Sequence, residues 1–350
     1  MAEKFHIGLT RDFLNADGKL AYRDIGLDII EARGERYSYS FIPEYRDELG
    51  ADQIEGLDAV FFDEPMITAA TLEKSERLKV VARFGVGFDI VDLAACTAAD
   101  VAVANTPDAT THPVAEGNVC LMLAVTHRLI IKDRLVRTGR WEDRYNYMGA
   151  ELRDRTAGIV GLGRIGRRTL ELLTTFGMTQ PVAYHPRRDE AAMAALGVKK
   201  VDLPTLMGTA DFVIISTSLN DSSRGMIGAE QLALMKPDAY LINTARGAVV
   251  DEQALYQCLK AQRIAGACLD VYTAEPIDET VPPFAELENV ILTPHANSIT
   301  DECVRDMGRQ ALGAILDVAE GKKPGPLVNP EVWGRPSFQK KTPRRLSGQG

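Results

Sequence analysis

Short apolar runs rich in β-branched and aromatic side chains recur along the chain, separated by segments with helical spacing. The first series is FHIGLT (5–10), YSYSFI (37–42), LDAVFF (57–62), KVVARFG (79–85) and VAVANT (101–106). Between them, ITAATLEKSERL (67–78) reads as a helix, and alternation of short strands with helices predicts a parallel sheet with crossover connections. A second series begins at RTAGIVG (155–161) and continues through VAYH, FVIIS, AYLINT, IAGACLDV and VILTP, with DEQALYQCLKAQ (251–262) as its clearest helix. The expected fold class is therefore α/β, with two doubly wound parallel-sheet units. Residues 114–131 are apolar on most sides and predict a buried connecting helix opened by Pro113, since proline suits a first helical turn. A later helix is expected from SITD, where Ser298 and Asp301 have capping-box spacing and Val304, Met307, Ala311, Leu312 and Ile315 keep the helical period. From Gly334 to Gly350 the chain is polar and basic and reads as a tail.

Composition narrows the function. The 350 residues, 45% hydrophobic and 25% charged, suffice for two cores and exclude a disordered or fibrous chain. A net charge of -9 repels a phosphate backbone, so nucleic acid is not an expected partner. Neither a signal-peptide core nor a membrane-length apolar run occurs, and a cytoplasmic protein without membrane contact is expected. Cys96, Cys120, Cys258, Cys268 and Cys303 lack CxxC spacing, which predicts reduced, mostly core cysteines and no zinc or other metal site.

Chemistry enters at GLGRIG. The apolar TAGIV precedes it and RRTLELLTTF follows, the strand, turn and helix that a dinucleotide pyrophosphate requires. Gly161 allows the tight turn, Gly163 lets the backbone approach the phosphates, and Gly166 lets helix pack on strand, with Arg164 and Ile165 among the expected cofactor contacts at the helix start. After the next strand a carboxylate commonly meets the ribose 2′-hydroxyl of NAD, but this chain has AYHPRRD, with His185 at about that place. Arg187 and Arg188 could clamp the 2′-phosphate of NADP, so NADP is favoured over NAD; the alternative makes them solvated loop charges.

NTARG (243–247), DVYTAEP (270–276) and TPHAN (293–297) each follow an apolar run, so Arg246, Glu275 and His295 are expected to converge beyond the strand ends. A 2-keto acid needs a cation for its carboxylate and carbonyl, and a proton donor for its developing alkoxide. Arg246 suits the first task and His295 the second, with Glu275 orienting the imidazole.

In order and spacing, RFGVGFDIVDL, VANTPDATT, VAEG, GIVGLGRIGRR, LMKPDAYLINTARGAVVDEQAL, GACLDVYTAEP and ILTPHANSIT resemble the D-isomer-specific 2-hydroxyacid dehydrogenases over roughly residues 5 to 330. The resemblance implies a Rossmann cofactor domain (106–299) inserted into a flavodoxin-like substrate domain (1–105 and 300–333). It assigns the catalytic roles to Arg246, Glu275 and His295, the substrate carboxylate to amides around Val86 and Gly87 with Arg246, and the nicotinamide amide to Asp270. Thr217 to Leu219 and Ala245 would line the cofactor, although members often carry proline where Ser218 stands. Formate dehydrogenases of similar fold pair the histidine with glutamine, so Glu275 argues against that activity, while phosphite dehydrogenase shares the triad. Substrate size is expected to be set by Phe62 to Met66, by Phe84 and by Trp141 to Met148. In a family-like homodimer Tyr145, Tyr147 or Met148 could reach a neighbouring site or simply pack the interface. His112 reads as a hinge or surface histidine and Asn297 as a pocket residue. The expected function is hydride transfer between NAD(P)H and C2 of a 2-keto or D-2-hydroxy acid. The alternative is a dimeric NAD(H)-responsive scaffold resembling the C-terminal binding protein co-repressors.

Overall fold

The computed structural model describes residues 4–277 and 282–342. It divides into two compact units, Met1–Thr110 with Ile299–Gly350, and Thr111–Ser298. The divisions fall at 110/111 and 298/299, against 105/106 and 299/300 read from sequence.

In the first unit β1 (Phe5–Leu9), β2 (Tyr37–Phe41), β3 (Ala59–Phe62), β4 (Val80–Arg83) and β5 (Ala102–Ala104) form a parallel sheet in the order β2-β1-β3-β4-β5. This is the flavodoxin-like order. Period-two alternation explains why its central strand is apolar throughout. Ala59 and Phe61 enter a core with Ile7, Leu9 and the helix residues Met307, Ala311, Leu312 and Ile315, while Val60 and Phe62 enter the opposite core with Val81, Val101 and Val103.

In the second unit β6 (Ala157–Val160), β7 (Val182–Tyr184), β8 (Lys199–Lys200), β9 (Phe212–Ile215), β10 (Tyr240–Asn243), β11 (Gly266–Leu269) and β12 (Val290–Leu292) form a seven-stranded parallel sheet. Its order, β12-β11-β10-β9-β6-β7-β8, is the Rossmann order extended by one strand. Again the faces separate, with Phe212 and Ile214 in one core and Val213 and Ile215 in the other. The two-residue β8 was not foreseen, because its lysines carry no apolar signal.

Several local expectations are corrected. Within 67–78 only a 3-10 turn forms, Thr71–Lys74. The Thr68 hydroxyl accepts from the amides of Ala70 and Thr71, and the Thr71 hydroxyl accepts from Thr68, so side chains take the groups a helix would need. The connecting helix runs Pro107–Thr126 with Pro113 inside it. The carbonyl of Ala109, which Pro113 cannot reach with an amide, accepts weakly from the Cys303 thiol at 3.6 Å. Arg128, at φ 54°, ends that run, and the next helix, Leu129–Arg137, leaves Leu129 and Ile130 exposed rather than buried. The Asp301–Ala319 helix is capped by Thr300, whose hydroxyl accepts from Cys303 N, instead of by Ser298.

The expected tail from Gly334 is also corrected over its first part. Pro336–Lys341 is a helix whose Phe338 is fully buried beside Trp333. Lys341 Nζ donates to the carbonyls of Ser75 (2.7 Å) and Ala99 (3.1 Å), and burial pushes its pKa down to about 8. Residues 343–350 of that segment lie outside the described residues. Among the described residues no single helix is long and apolar enough to cross a membrane.

Candidate active site

The chain leaves β6 into a glycine turn at the point where β6 has β7 on one side and β9 on the other. Such a switch point is where an open α/β sheet leaves a crevice for a ligand. Gly161 takes φ 93°, and a Cβ there would lie 2.7 Å from the Ser216 carbonyl, so no other residue fits without moving β9's end. Its amide donates to the Tyr184 carbonyl at 2.9 Å. Gly163 precedes the Arg164–Leu173 helix, has no side-chain cap, and presents its α-carbon to open space. Arg164 and Ile165 open the helix, and Gly166 sits against Ile159 and Ser216. A bare helix N-terminus behind an open glycine is the cradle a pyrophosphate needs, so these residues fit a dinucleotide.

At the end of β7, Nδ1 of His185 accepts from the amides of Arg187 and Arg188, each at 3.2 Å. The two arginines are exposed, and Asp189 uses its carboxylate to accept from Ala192 N at the start of a short helix. Lys200, from β8, donates to the Arg188 carbonyl at 2.7 Å. After β9, Thr217 is half-buried, and the Ser218 carbonyl is held by the Ser223 hydroxyl at 2.8 Å.

The three candidate catalytic residues follow β10, β11 and β12. Asn243, the last residue of β10, folds the next turn on its own amide: Nδ2 donates to the Arg246 carbonyl (3.0 Å), and Oδ1 accepts from Ala245 N (3.1 Å). Thr244 is tied to the fully buried Asn118 at 2.7 Å. Arg246 Nη1 donates to the Ala245 carbonyl at 2.8 Å. A Cβ on Gly247 would lie 2.0 Å from the Tyr272 carbonyl carbon, so glycine lets this turn press against the loop that carries Glu275.

Glu275 accepts from Tyr272 N through Oε1 at 2.6 Å and pairs with His295 Nδ1 through Oε2 at 2.7 Å. Burial works to raise the Glu275 pKa. The His295 hydrogen bond and charge, the Tyr272 amide and the Arg246 charge outweigh it and hold the carboxyl below its ordinary range. Arg246, Glu275 and His295 thus form one electrostatic group. His295 itself adopts φ 49°, a backbone conformation uncommon outside glycine. Asp270, buried at the end of β11, maintains it: the Asp270 carbonyl accepts from His295 N, and its carboxylate accepts from the Thr293 hydroxyl and the amides of Ala296 and Asn297.

Sequence reasoning missed Asn243, Thr293 and Asn118 as supports of this site. Asn243 and Thr293 flank the chosen residues in NTARG and TPHAN and could have been suspected as turn formers. Asn118 lies in an apolar helix, where one polar side chain without a visible partner was the only signal.

Other candidates are placed elsewhere. Val86 and Gly87 lie in the first unit, in a loop where Asn105 Nδ2 donates to the Val86 carbonyl at 2.8 Å. Phe62 and Phe84 do not set pocket size: both are buried, and Phe84 packs its ring against Phe13, Phe61 and Tyr22. Their β-strand positions made them core residues first. Asn297 donates from its side-chain amide to the Val114 carbonyl at 3.2 Å, which ties the loop to a helix. His112 is a surface residue between Glu116 and Arg168. Trp141, Tyr145 and Met148 are exposed, with Arg144 stacked over both rings.

Comparison with known proteins adds an independent line. Residues 119–297 match the family described as D-isomer specific 2-hydroxyacid dehydrogenase, NAD binding domain. A glyoxylate reductase of Thermofilum pendens is 39% identical over 271 residues, 76% of this chain and 79% of that protein. A solved Thermus thermophilus protein superposes with a TM-score of 0.80 at 29% identity, covering 92% of this chain and 99% of that one. An acyclic imino acid reductase, solved with NADPH and D-Arg, superposes with a TM-score of 0.78 at 26% identity, with 92% and 99% coverage.

Proposed function

Because the chain belongs to the D-isomer-specific 2-hydroxyacid dehydrogenase family, whose domain binds NAD, we propose that it reduces a small 2-keto acid to the D-2-hydroxy acid, with His295 as acid and base. The observation that carries this reading is the 2.7 Å pair between Glu275 and His295, set beside the charge of Arg246. A nicotinamide cofactor, when bound, supplies the hydride to substrate C2. The chain's own residues bind, orient and move the proton. With Nδ1 committed to Glu275, His295 has Nε2 as the atom that gives a proton to the substrate oxygen and takes it back in the oxidative direction. The charged Glu275 stabilises the imidazolium and fixes its ring. Arg246, steadied by the Ala245 carbonyl, holds the substrate carboxylate and polarises the carbonyl. Asp270 is assigned to the nicotinamide amide.

The cofactor is assigned as NADP(H) in preference to NAD(H). Three points support this: His185 stands at about the place of the usual ribose carboxylate, with Arg187 and Arg188 just after it; no described carboxylate pairs with either arginine; and the imino acid reductase of similar fold was solved with NADPH. A homodimer is part of the proposal, built on the exposed apolar side chains of residues 129–148.

The decisive assay follows nicotinamide absorbance with glyoxylate, hydroxypyruvate, pyruvate and bulkier 2-keto acids, each with NADPH and with NADH. Turnover is expected, and His295→Ala is expected to lower kcat by about 10²–10⁴-fold. A His295→Ala enzyme with the full rate would overturn the mechanism. Firm cofactor binding without turnover of any keto acid would overturn the enzymatic reading in favour of a scaffold.

A further inference from the structure

We infer that His185 is a positioning residue that, with Lys200, shapes Arg187 and Arg188 into a 2′-phosphate site; the inference rests on the NADP(H) reading above. The loop is clamped from two sides. On the amide side, Nδ1 of His185 receives the N–H groups of Arg187 and Arg188, two and three residues on. That is the pattern by which an Asx turn folds a chain on its own side chain, with a ring nitrogen in place of an amide oxygen. Pro186 has no N–H to compete, so the first two available amides of the loop are those two. On the carbonyl side, Lys200 Nζ holds the Arg188 carbonyl. β8 supplies that lysine at the right height, because Lys200 is in register with Ala183 of β7, two residues before His185.

Charge points the same way. Arg187, Arg188 and Lys200 surround the imidazole, and the nearest acid in sequence, Asp189, is committed to Ala192 N. Neither loop arginine is paired with a described carboxylate. Three cations, none in an ion pair with a described carboxylate, favour a dianion, and a phosphate monoester has the charge and acceptors to meet them. The acceptor role requires Nδ1 to be unprotonated. Burial first, then the charges of Arg188, Arg187 and Lys200, push the His185 pKa below its ordinary value and keep it so. His185 therefore stands where other dinucleotide folds place a ribose carboxylate, and its Nδ1 acts on the loop backbone.

The test compares kcat/KM for NADPH and NADH in the wild type, His185→Ala, His185→Asn, Lys200→Met and the Arg187→Ala/Arg188→Ala double variant. Binding of 2′,5′-ADP and 5′-AMP is measured in parallel by calorimetry. His185→Ala is expected to lower the NADPH-to-NADH ratio, and the preference for 2′,5′-ADP, by about tenfold, the scale of two lost hydrogen bonds. Asparagine, whose Oδ1 is the same number of bonds from Cα as histidine Nδ1, is expected to restore the ratio to within about twofold, as loss of one charge-neutral acceptor for another predicts. Lys200→Met is expected to lower the ratio as well. An unchanged ratio in His185→Ala, or an equal fall in His185→Asn, overturns the positioning role while the double variant's loss of selectivity keeps the NADP(H) reading. A wild type that prefers NADH, with a double variant that changes nothing, overturns both.

Discussion

His295 occupies a left-handed backbone position that costs a non-glycine residue conformational energy, and the buried Asp270 offsets this by holding the amides on either side of the turn. No linear motif shows this strained turn at the proposed proton donor, or the buried carboxylate that sustains it. Glu275 is the partner whose charge can be tested. Glu275→Gln keeps the reach to Nδ1 and removes the charge, so kcat for reduction is expected to fall about 10²-fold. A Glu275→Gln enzyme with the full kcat would refute the electrostatic role. The lowered Glu275 pKa also has a stability consequence. A carboxyl whose folded pKa lies below its unfolded one stabilises the protein above the ordinary glutamate range, and that contribution is lost as pH falls through the folded value. The stability difference between wild type and Glu275→Gln should therefore shrink toward acid, as followed by thermal melts across pH.

At the scale of elements, the site depends on how closely two turns approach. Gly247 allows the turn after β10 to press on Tyr272 and Thr273, and this contact brings the charge of Arg246 to Glu275. Gly247→Ala is expected to destabilise by about 1–3 kcal/mol through overpacking. It should also lower kcat/KM by about 10²-fold through misplacement of Arg246. Full activity in a folded Gly247→Ala protein would show that the approach is dispensable. The Pro336–Lys341 helix, read from sequence as tail, makes a second test. Phe338→Ala is expected to cost about 3–5 kcal/mol in denaturant unfolding, as for other buried phenylalanines. A loss under 1 kcal/mol would mean the helix docks without holding the first unit. Its sequence hid this, since one buried ring and one lysine bonded to carbonyls leave no periodic stripe. The failed helix at 67–78 has the opposite cause: its apolar spacing was helical, but threonine hydroxyls captured the backbone amides.

At the scale of the molecule, the second unit exposes Leu129, Ile130, Val136, Trp141, Tyr145 and Met148 within one stretch. This is the surface that the proposed homodimer would cover. Ile130→Glu with Val136→Glu is expected to convert a dimer to monomer in sedimentation velocity; a wild type that is already monomeric would refute the assembly. By itself the sequence determined the two α/β series, because fully apolar short strands between crossovers pack only as parallel sheets covered on both faces. It determined the glycine turn and the family resemblance too, because those depend on residue type and order along the chain. It also singled out Arg246, Glu275 and His295, because each stands just past an apolar strand. Only the tertiary structure decided that these three share one electrostatic environment, that Asp270 and Asn243 hold the turns, that Phe62 and Phe84 belong to cores, and that His185 folds its own loop. Each of those facts is a distance between residues remote in sequence or a direction of a side chain. Neither quantity is encoded by spacing along a strand or helix, and both are set when the elements pack.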